Sequence, residues 1–364
     1  MGKIRVGLLF GGTTAEHEVS LMSAKSIYEN IDYNKYEVVL LGVDKKGVWH
    51  LGDKEHFLIN DKDPKQIALN VSKESLALSP GSKNKAMFVP NSPSGLDHID
   101  VIFSVMHGTI GEDGSMQGLL RTLGIPFVGP GVLASSVGMD KDVTKRLLRE
   151  AKIPVAKSML VRSHEKEGLN YSNIALALGT PIFVKPANTG SSVGISKVKS
   201  EKDFSKAIEE AFLYDHKVLI EEAVVGREIE ISVMGNEQPI ASVPGEIVTK
   251  HEFYSYEAKY IDESGSYSEI PAKIDEATTK KVKDMAIHAY QVLCCEGMAR
   301  VDFFLKENGD LLINEINTLP GFTKISMYPK MWEAAGVSYK DLLDRLIQYS
   351  LERHTKDKKI KLSP

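Results

Sequence analysis

Hydrophobic positions in the first third of the chain gather into short runs separated by amphipathic stretches. Residues 4–10 form a largely apolar run closed by Gly11-Gly12, and 36–43 and 100–106 form two more. Between the first two, residues 19–31 carry apolar positions at helical spacing. Buried strands alternating with helices predict a parallel, doubly wound sheet whose functional loops lie at the strand C-termini. Residues 52–95 break the pattern: they are polar, contain Pro64, Pro80, Pro90 and Pro93, and read as an irregular insertion.

The character changes near Gly138. A helix is predicted over 140–151, with Asp140 as N-cap and Pro154 stopping its continuation. Strand patterns at 181–185, 194–198 and 217–221, with a helix at 203–212, outline a small α+β unit. From Gly226 onward longer antiparallel patterns dominate (228–234, 240–248, 300–305, 311–316), with helices at 276–293 and 339–352 before a Lys-rich tail read as frayed and solvated. The predicted class is α/β (α+β), divided as an N-terminal domain 1–137, a central subdomain 138–225 and a C-terminal subdomain 226–364.

The 364 residues exceed one compact core, which suits this division. With 26% charged residues and a net charge of −4, there is no electrostatic case for a nucleic-acid partner. No apolar run approaches the ~20 residues that span a bilayer, so no membrane partner is expected. The opening MGKIRVGLLFGG reads as a first buried strand rather than a signal peptide. Cys294 and Cys295 are adjacent, which excludes an ordinary staple and suggests small hydrophobes packed at a helix end. A cytoplasmic protein is expected.

The segment 300–321, RVDFFLKENGDLLINEINTLPG, carries the clearest chemistry. Two strand patterns flank Asn308-Gly309, a strong hairpin signal. A two-residue loop sets Asp302 opposite Glu315 and Arg300 opposite Asn317. A symmetric four-residue loop keeps that pairing, and a three-residue loop breaks it. Directly opposed side chains lie roughly 4.5–5.5 Å apart, where like charges repel. Two carboxylates and an amide oxygen so placed suit a hard cation, Mg²⁺ or Mn²⁺, of the kind that also holds substrate phosphates. A solvated acidic hairpin is the rival reading, but Val301, Phe303 and Ile316 make the other face apolar.

FVKPANTGSSVGISKV places Lys185 at a strand end before a loop containing Gly190, Ser191, Ser192 and Gly194. Such a loop lets backbone N–H groups enclose an anion, with the lysine neutralising phosphate oxygens; a plain hairpin turn accounts for the same residues. Glu221 and Glu222 end a strand before a link of the sort whose backbone binds a nucleobase, although surface Glu pairs are common. HGTIGEDGSMQG follows a buried strand and leads into a helix, with His107 orienting substrate or bridging the loop. Glu16, after the Gly11-Gly12 turn, is placed to meet a small cation or to stabilise the first turn of a helix. Tyr254, Tyr256, Lys259 and Tyr260 lie in a long segment without periodicity, read as a lid that excludes water.

The order of these pieces resembles the ATP-grasp ligases, and more narrowly the D-alanine–D-alanine ligase family. HGTIGEDGSMQG and GMARVDFFLKENGDLLINEINTLPG match both of its signature segments, and GGTTAEHEVSL and the EAKY of the lid agree, so the likeness spans nearly the whole chain. The resemblance implies an ATP-grasp fold behind the N-terminal doubly wound domain, a cytoplasmic homodimer, and ATP-dependent joining of two D-alanines for peptidoglycan synthesis. It implies that Asp302, Glu315 and Asn317 hold two Mg²⁺ or Mn²⁺ ions. Lys141, Lys185 and Ser192 would meet the ATP phosphates, and Glu221, the backbone of Glu222 to Val224, and Glu228 the adenosine. Glu16 would hold the ammonium of the first D-alanine. Ser191, Ser326 and lid residues Lys259 and Tyr260 would lie at the second, His107 would orient substrate, and Arg300 and the Gly321 amide would stabilise the oxyanion. Relatives using D-lactate carry Phe or another lid at the place of Tyr260, so the tyrosine implies an amine acceptor. Glu222 departs from the Lys or Gln of many relatives.

Overall fold

The computed structural model describes residues 2–71, 75–82, 86–90, 98–249 and 266–361. Its N-terminal sheet has the order Trp49–Leu51, Tyr36–Val43, Ile4–Gly11, Val101–Ser104, the last three strands parallel. Alternation along these strands feeds two cores. Val6, Leu8, Phe10, Val38 and Phe103 pack with Leu21, Ala24 and Ile27 of the helix His17–Asn30. Leu9, Val39, Leu41 and Ile102 pack on the other face with Met116 and Leu120 of the helix Ser115–Thr122. The sheet is therefore covered on both faces, as parallel sheets require. At its end Gly11 has φ +92°, and a Cβ there would lie 2.1 Å from the Val43 carbonyl oxygen, so only glycine turns the chain.

The described residues of 52–95 form paired strands rather than an irregular insertion. Leu58–Ile59 pairs with Ala68–Leu69 and Ala77–Leu78 with Met87–Phe88, while Phe57, Ile67 and Met87 are buried in the neighbouring cores. Isolated apolar residues, rather than a periodic run, make these contacts, which is why the polar composition concealed them.

The central sheet is antiparallel, in the order Ser196–Val198, Ile182–Pro186, Lys217–Glu222, Ser158–Arg162. The helix Glu201–Ala211 covers it through Phe204, Ala207 and Ile208. The C-terminal sheet is also antiparallel: Ser266–Glu269, Ile240–Thr249, Arg227–Gly235, Gly297–Leu305, Leu311–Asn317. One face buries Ile229, Ile231, Val301, Phe303 and Ile313 under Val282, Ala286 and Ala289 of the helix Glu276–Val292. Ala134, Leu148 and Ile153 join this core, so helices Val132–Met139 and Lys141–Glu150 pack with the C-terminal sheet. Asp140 caps the second of these helices, accepting from the N–H groups of Asp142 and Val143 at 3.1 Å each.

The two ends of the chain share a core. Phe322 is fully buried and stands edge-on to Phe103 at 5.5 Å, alongside Tyr328, Trp332, Leu342 and Leu346. The last helix runs Tyr339–Asp357, beyond its expected end. Its final turns are not simply solvated: buried Arg353 donates to the carbonyls of Gly129 at 2.6 Å and Phe127 at 2.7 Å. At the end of the Glu276–Val292 helix only Cys295 is buried, and Cys294 is exposed.

Candidate active site

The hairpin Gly297–Leu305/Leu311–Asn317 sets Asp302 opposite Glu315 and Arg300 opposite Asn317, the pairs expected, by an unexpected route. The loop has three residues. The Lys306 N–H donates to the Asp310 carbonyl and the Gly309 N–H to the Lys306 carbonyl, both at 2.9 Å, with Gly309 at φ +83°. The pairs next to the loop, Leu305 with Leu311 and Phe303 with Ile313, are therefore one residue out of step. A bulge at Asn314 restores the register before the acids.

Arg300 grips Asp302 in bidentate fashion, its Nε and Nη2 donating to the two carboxylate oxygens at 2.7 Å each. Its Nε also lies 3.0 Å from Glu230 Oε2. Burial disfavours the guanidinium charge, but Asp302 and Glu230 outweigh it and hold the pKa well above its ordinary value. The Asn317 amide oxygen accepts from the Leu319 N–H at 3.0 Å. Two carboxylates and an amide oxygen on one sheet face are a donor set for Mg²⁺ or Mn²⁺, and the amide oxygen retains a second lone pair. Among the described residues no three His, Cys, Asp or Glu side chains form a metal cage by themselves.

Lys185 and Glu221 lie on neighbouring antiparallel strands, and Lys185 Nζ donates to Glu221 Oε1 at 2.8 Å. The other carboxylate oxygen is 2.7 Å from Nζ of Lys145, a residue that sequence reasoning passed over. All three side chains are buried. Burial pushes the Lys145 pKa down to about 8 against the pull of Glu221. Burial acts to raise the Glu221 pKa, but the two lysines outweigh it and the net shift is downward. Position 145 lies on the buried side of a helix rich in Lys and Arg, so no local signal separated it from its solvated neighbours.

Lys141, in the first turn of the helix that Asp140 caps, donates to the Thr189 carbonyl at 2.6 Å, fixing the Gly190–Ser192 turn. Ser191 and Ser192 both have positive φ, +50° and +62°. Such conformations are uncommon outside glycine and cluster where function over-determines the backbone. The Ser191 hydroxyl donates to Glu16, bringing the loop against the N-terminal domain. The Glu222 N–H donates to the Lys157 carbonyl at 3.0 Å, and its carboxylate accepts the Lys157 N–H at 2.8 Å. Val224 and Glu228 are half-buried along the link and the strand that follows it.

His107 is buried and bridges elements. Nδ1 lies 3.1 Å from the Leu319 carbonyl, which can only accept, so Nδ1 carries the proton. Nε2 meets Ser23 Oγ at 3.2 Å, and Ser23 also accepts the Phe322 N–H at 3.2 Å. Of the two roles weighed for His107, these contacts are those of the bridge. Ser326 Oγ accepts the Thr323 N–H at 3.0 Å, and a Cβ on Gly321 would lie 2.8 Å from that oxygen. Glycine there lets the Ser326 hydroxyl lie against the backbone. Lys259 and Tyr260 fall outside the described residues. The structure thus joins Glu16 to Ser191, Lys185 to Glu221, and Arg300 to Asp302 beside Glu315 and Asn317.

Residues 5–130 match the family model described as D-ala D-ala ligase N-terminus, and 147–348 match that described as D-ala D-ala ligase C-terminus. The chain is 55% identical over 361 residues to a D-alanine–D-alanine ligase from Oceanobacillus iheyensis, covering 99% of each chain. Among solved structures, the D-alanine–D-alanine ligase from Coxiella burnetii superposes with a TM-score of 0.86 at 36% identity, covering 99% of this chain and 97% of that one. A D-Ala:D-Ser ligase from Enterococcus faecalis follows at 0.83 and 34%, covering 96% and 100%. Both halves of the chain are matched and the likeness runs end to end: the chain belongs to the D-alanine–D-alanine ligase family, on the ATP-grasp fold.

Proposed function

We propose that the chain uses ATP to condense two D-alanine molecules into D-alanyl-D-alanine, a dipeptide for cell-wall precursor synthesis, with release of ADP and phosphate. The observation that carries this reading is the row of Arg300 and Asp302 facing Asn317 and Glu315 on one sheet face. A carboxylate is a poor electrophile, so its oxygen first attacks the γ-phosphorus of ATP and ADP departs. The neutral amine of the second D-alanine then attacks the acyl carbon, the bond from that carbon to the phosphate oxygen breaks, and a proton is lost.

Each residue's part follows from what it carries. Asp302, Glu315 and Asn317 would hold two Mg²⁺ or Mn²⁺ ions, which when bound neutralise the ATP phosphates. Lys141 and Lys185 neutralise phosphate oxygens, Ser192 with its loop amides encloses them, and Glu221, the 222–224 backbone and Glu228 hold the adenosine. Glu16 takes the ammonium of the first D-alanine. Ser191, Ser326, Lys259 and Tyr260 surround the second, with His107 fixing the loop between them. Arg300 and the Gly321 N–H face the oxyanion of the acyl transfer, placing positive charge where negative charge develops. No enzyme nucleophile takes part, so catalysis here is positioning and charge neutralisation. The protein works as a cytoplasmic homodimer joined through its N-terminal domain.

The test is phosphate release with D-alanine alone, and with D-lactate or D-serine added, each with and without Mg²⁺ at pH 6 to 9. The reading requires metal-dependent release with D-alanine alone, matched by dipeptide. Release that appears only with D-lactate or D-serine would reassign the acceptor.

A further inference from the structure

Glu230 belongs to none of the roles above, yet it touches the site's central cation. The strand Arg227–Gly235 lies beside the hairpin with Glu230 opposite Asp302 and Ser232 opposite Arg300. Three acids, Glu230, Asp302 and Glu315, therefore stand in a row across adjacent strands. Arg300 is ion-paired with the first two. Both oxygens of Asp302 accept from the guanidinium, so a metal ion taking Asp302 must compete with Arg300 for it. Without Glu230, giving up Asp302 would leave the largely buried Arg300 with no carboxylate in direct contact, and it would resist that exchange. Ser232 is no substitute for a carboxylate: its hydroxyl, which donates to the Tyr328 carbonyl at 3.1 Å, is neutral and offers the guanidinium no opposing charge.

We propose that Glu230 is a positioning residue that keeps Arg300 in place when Asp302 turns to the metal, so that the oxyanion-facing cation and the metal share the site. The inference rests on Asp302, Glu315 and Asn317 being the metal ligands. Glu230 acts through Arg300, and its removal leaves Asp302 as the carboxylate on which the guanidinium depends. Metal affinity then falls because guanidinium and metal compete for one acid.

The experiment measures Mn²⁺ binding to the ADP complex of the full chain by electron paramagnetic resonance. It compares wild type, Glu230→Gln, Glu315→Gln, Arg300→Met and the double variant Glu230→Gln/Arg300→Met. Glu230→Gln should weaken Mn²⁺ binding about tenfold, the scale of losses at groups that support metal ligands. With Arg300 absent, the same change should alter it by less than about twofold, because coupled residues are non-additive. Unchanged affinity in Glu230→Gln overturns the proposal. An equal loss with and without Arg300 also overturns it, since Glu230 would then act on the ion by charge alone. Should the Gln variant fail to fold by circular dichroism, Glu230→Asp decides between the same outcomes. If Glu315→Gln binds Mn²⁺ as wild type does, the ligand assignment fails and this inference with it. Normal loss in Glu315→Gln with none in Glu230→Gln removes only the role of Glu230.

Discussion

The Ser191 hydroxyl hydrogen-bonds Glu16, which is 175 positions away in the chain, and so ties the Gly190–Ser192 loop to the N-terminal domain. One Glu16 oxygen accepts from Ser191, and a Cβ on Gly108 or Gly190 would lie 2.9 or 3.3 Å from the other, so glycine at both positions keeps their own side chains off that oxygen. The proposed place of the first D-alanine's ammonium is against this carboxylate. Glu16→Gln should raise the KM for D-alanine roughly 10- to 100-fold, the value of a charge-assisted hydrogen bond of about 1.5–3 kcal/mol, with the KM for ATP unchanged. Steady-state kinetics in each substrate check this, and an unaltered D-alanine KM would remove Glu16 from substrate binding.

His107 gives a pH-dependent contribution to stability. Burial opposes its charge, but Glu112, 3.5 Å away, and Glu16 outweigh burial and raise the pKa above 6.5. A raised folded-state pKa stabilises fully below the unfolded value and loses that stabilisation as pH climbs through the folded value. The melting-temperature difference between wild type and His107→Gln should therefore be larger at pH 6 than at pH 8. A difference that is flat or grows with pH would show the imidazole to be neutral.

The hairpin pairs could be read from the sequence because period-two alternation put the acids on one side and Val301, Phe303 and Ile316 on the other. The means could not. Asn308-Gly309 advertised a two-residue turn, whereas Gly309 closes a three-residue loop, and Asn314, with no glycine to mark it, supplies the compensating bulge. Glu230, Lys145 and Arg353 were missed for a common reason. Each meets its partner on a distant element, and a charged residue's own neighbours do not say whether it faces solvent. Glu230 gains meaning only when the Arg227–Gly235 strand is placed in register with Arg300. The lid expected at Lys259 and Tyr260 lies outside the described residues.

Arg353 makes a stability prediction in the Lys-rich end that the sequence pattern presented as frayed and solvated. It fills two carbonyls of the Phe127–Gly129 turn and lies over the Phe127 ring, 4.7 Å from its centre. Arg353→Met leaves both carbonyls without that donor and should cost about 2–4 kcal/mol in urea unfolding, at roughly 1–2 kcal/mol for each hydrogen bond lost. Truncation after Glu352 should cost at least as much. A loss below about 0.5 kcal/mol would mean that water replaces the guanidinium.

The most direct test of the account follows the oxygen that the proposed chemistry moves. With D-alanine labelled by ¹⁸O in both carboxylate oxygens, attack on the γ-phosphate and later rupture of the acyl carbon–oxygen bond leave one labelled oxygen in phosphate for each dipeptide formed. Mass spectrometry of the released phosphate should find that single label with the wild-type chain. Label and turnover should both vanish with Glu315→Gln, which loses the carboxylate opposite Asp302. Phosphate carrying no ¹⁸O, or label undiminished in Glu315→Gln, would contradict an acyl-phosphate reaction carried out on this hairpin.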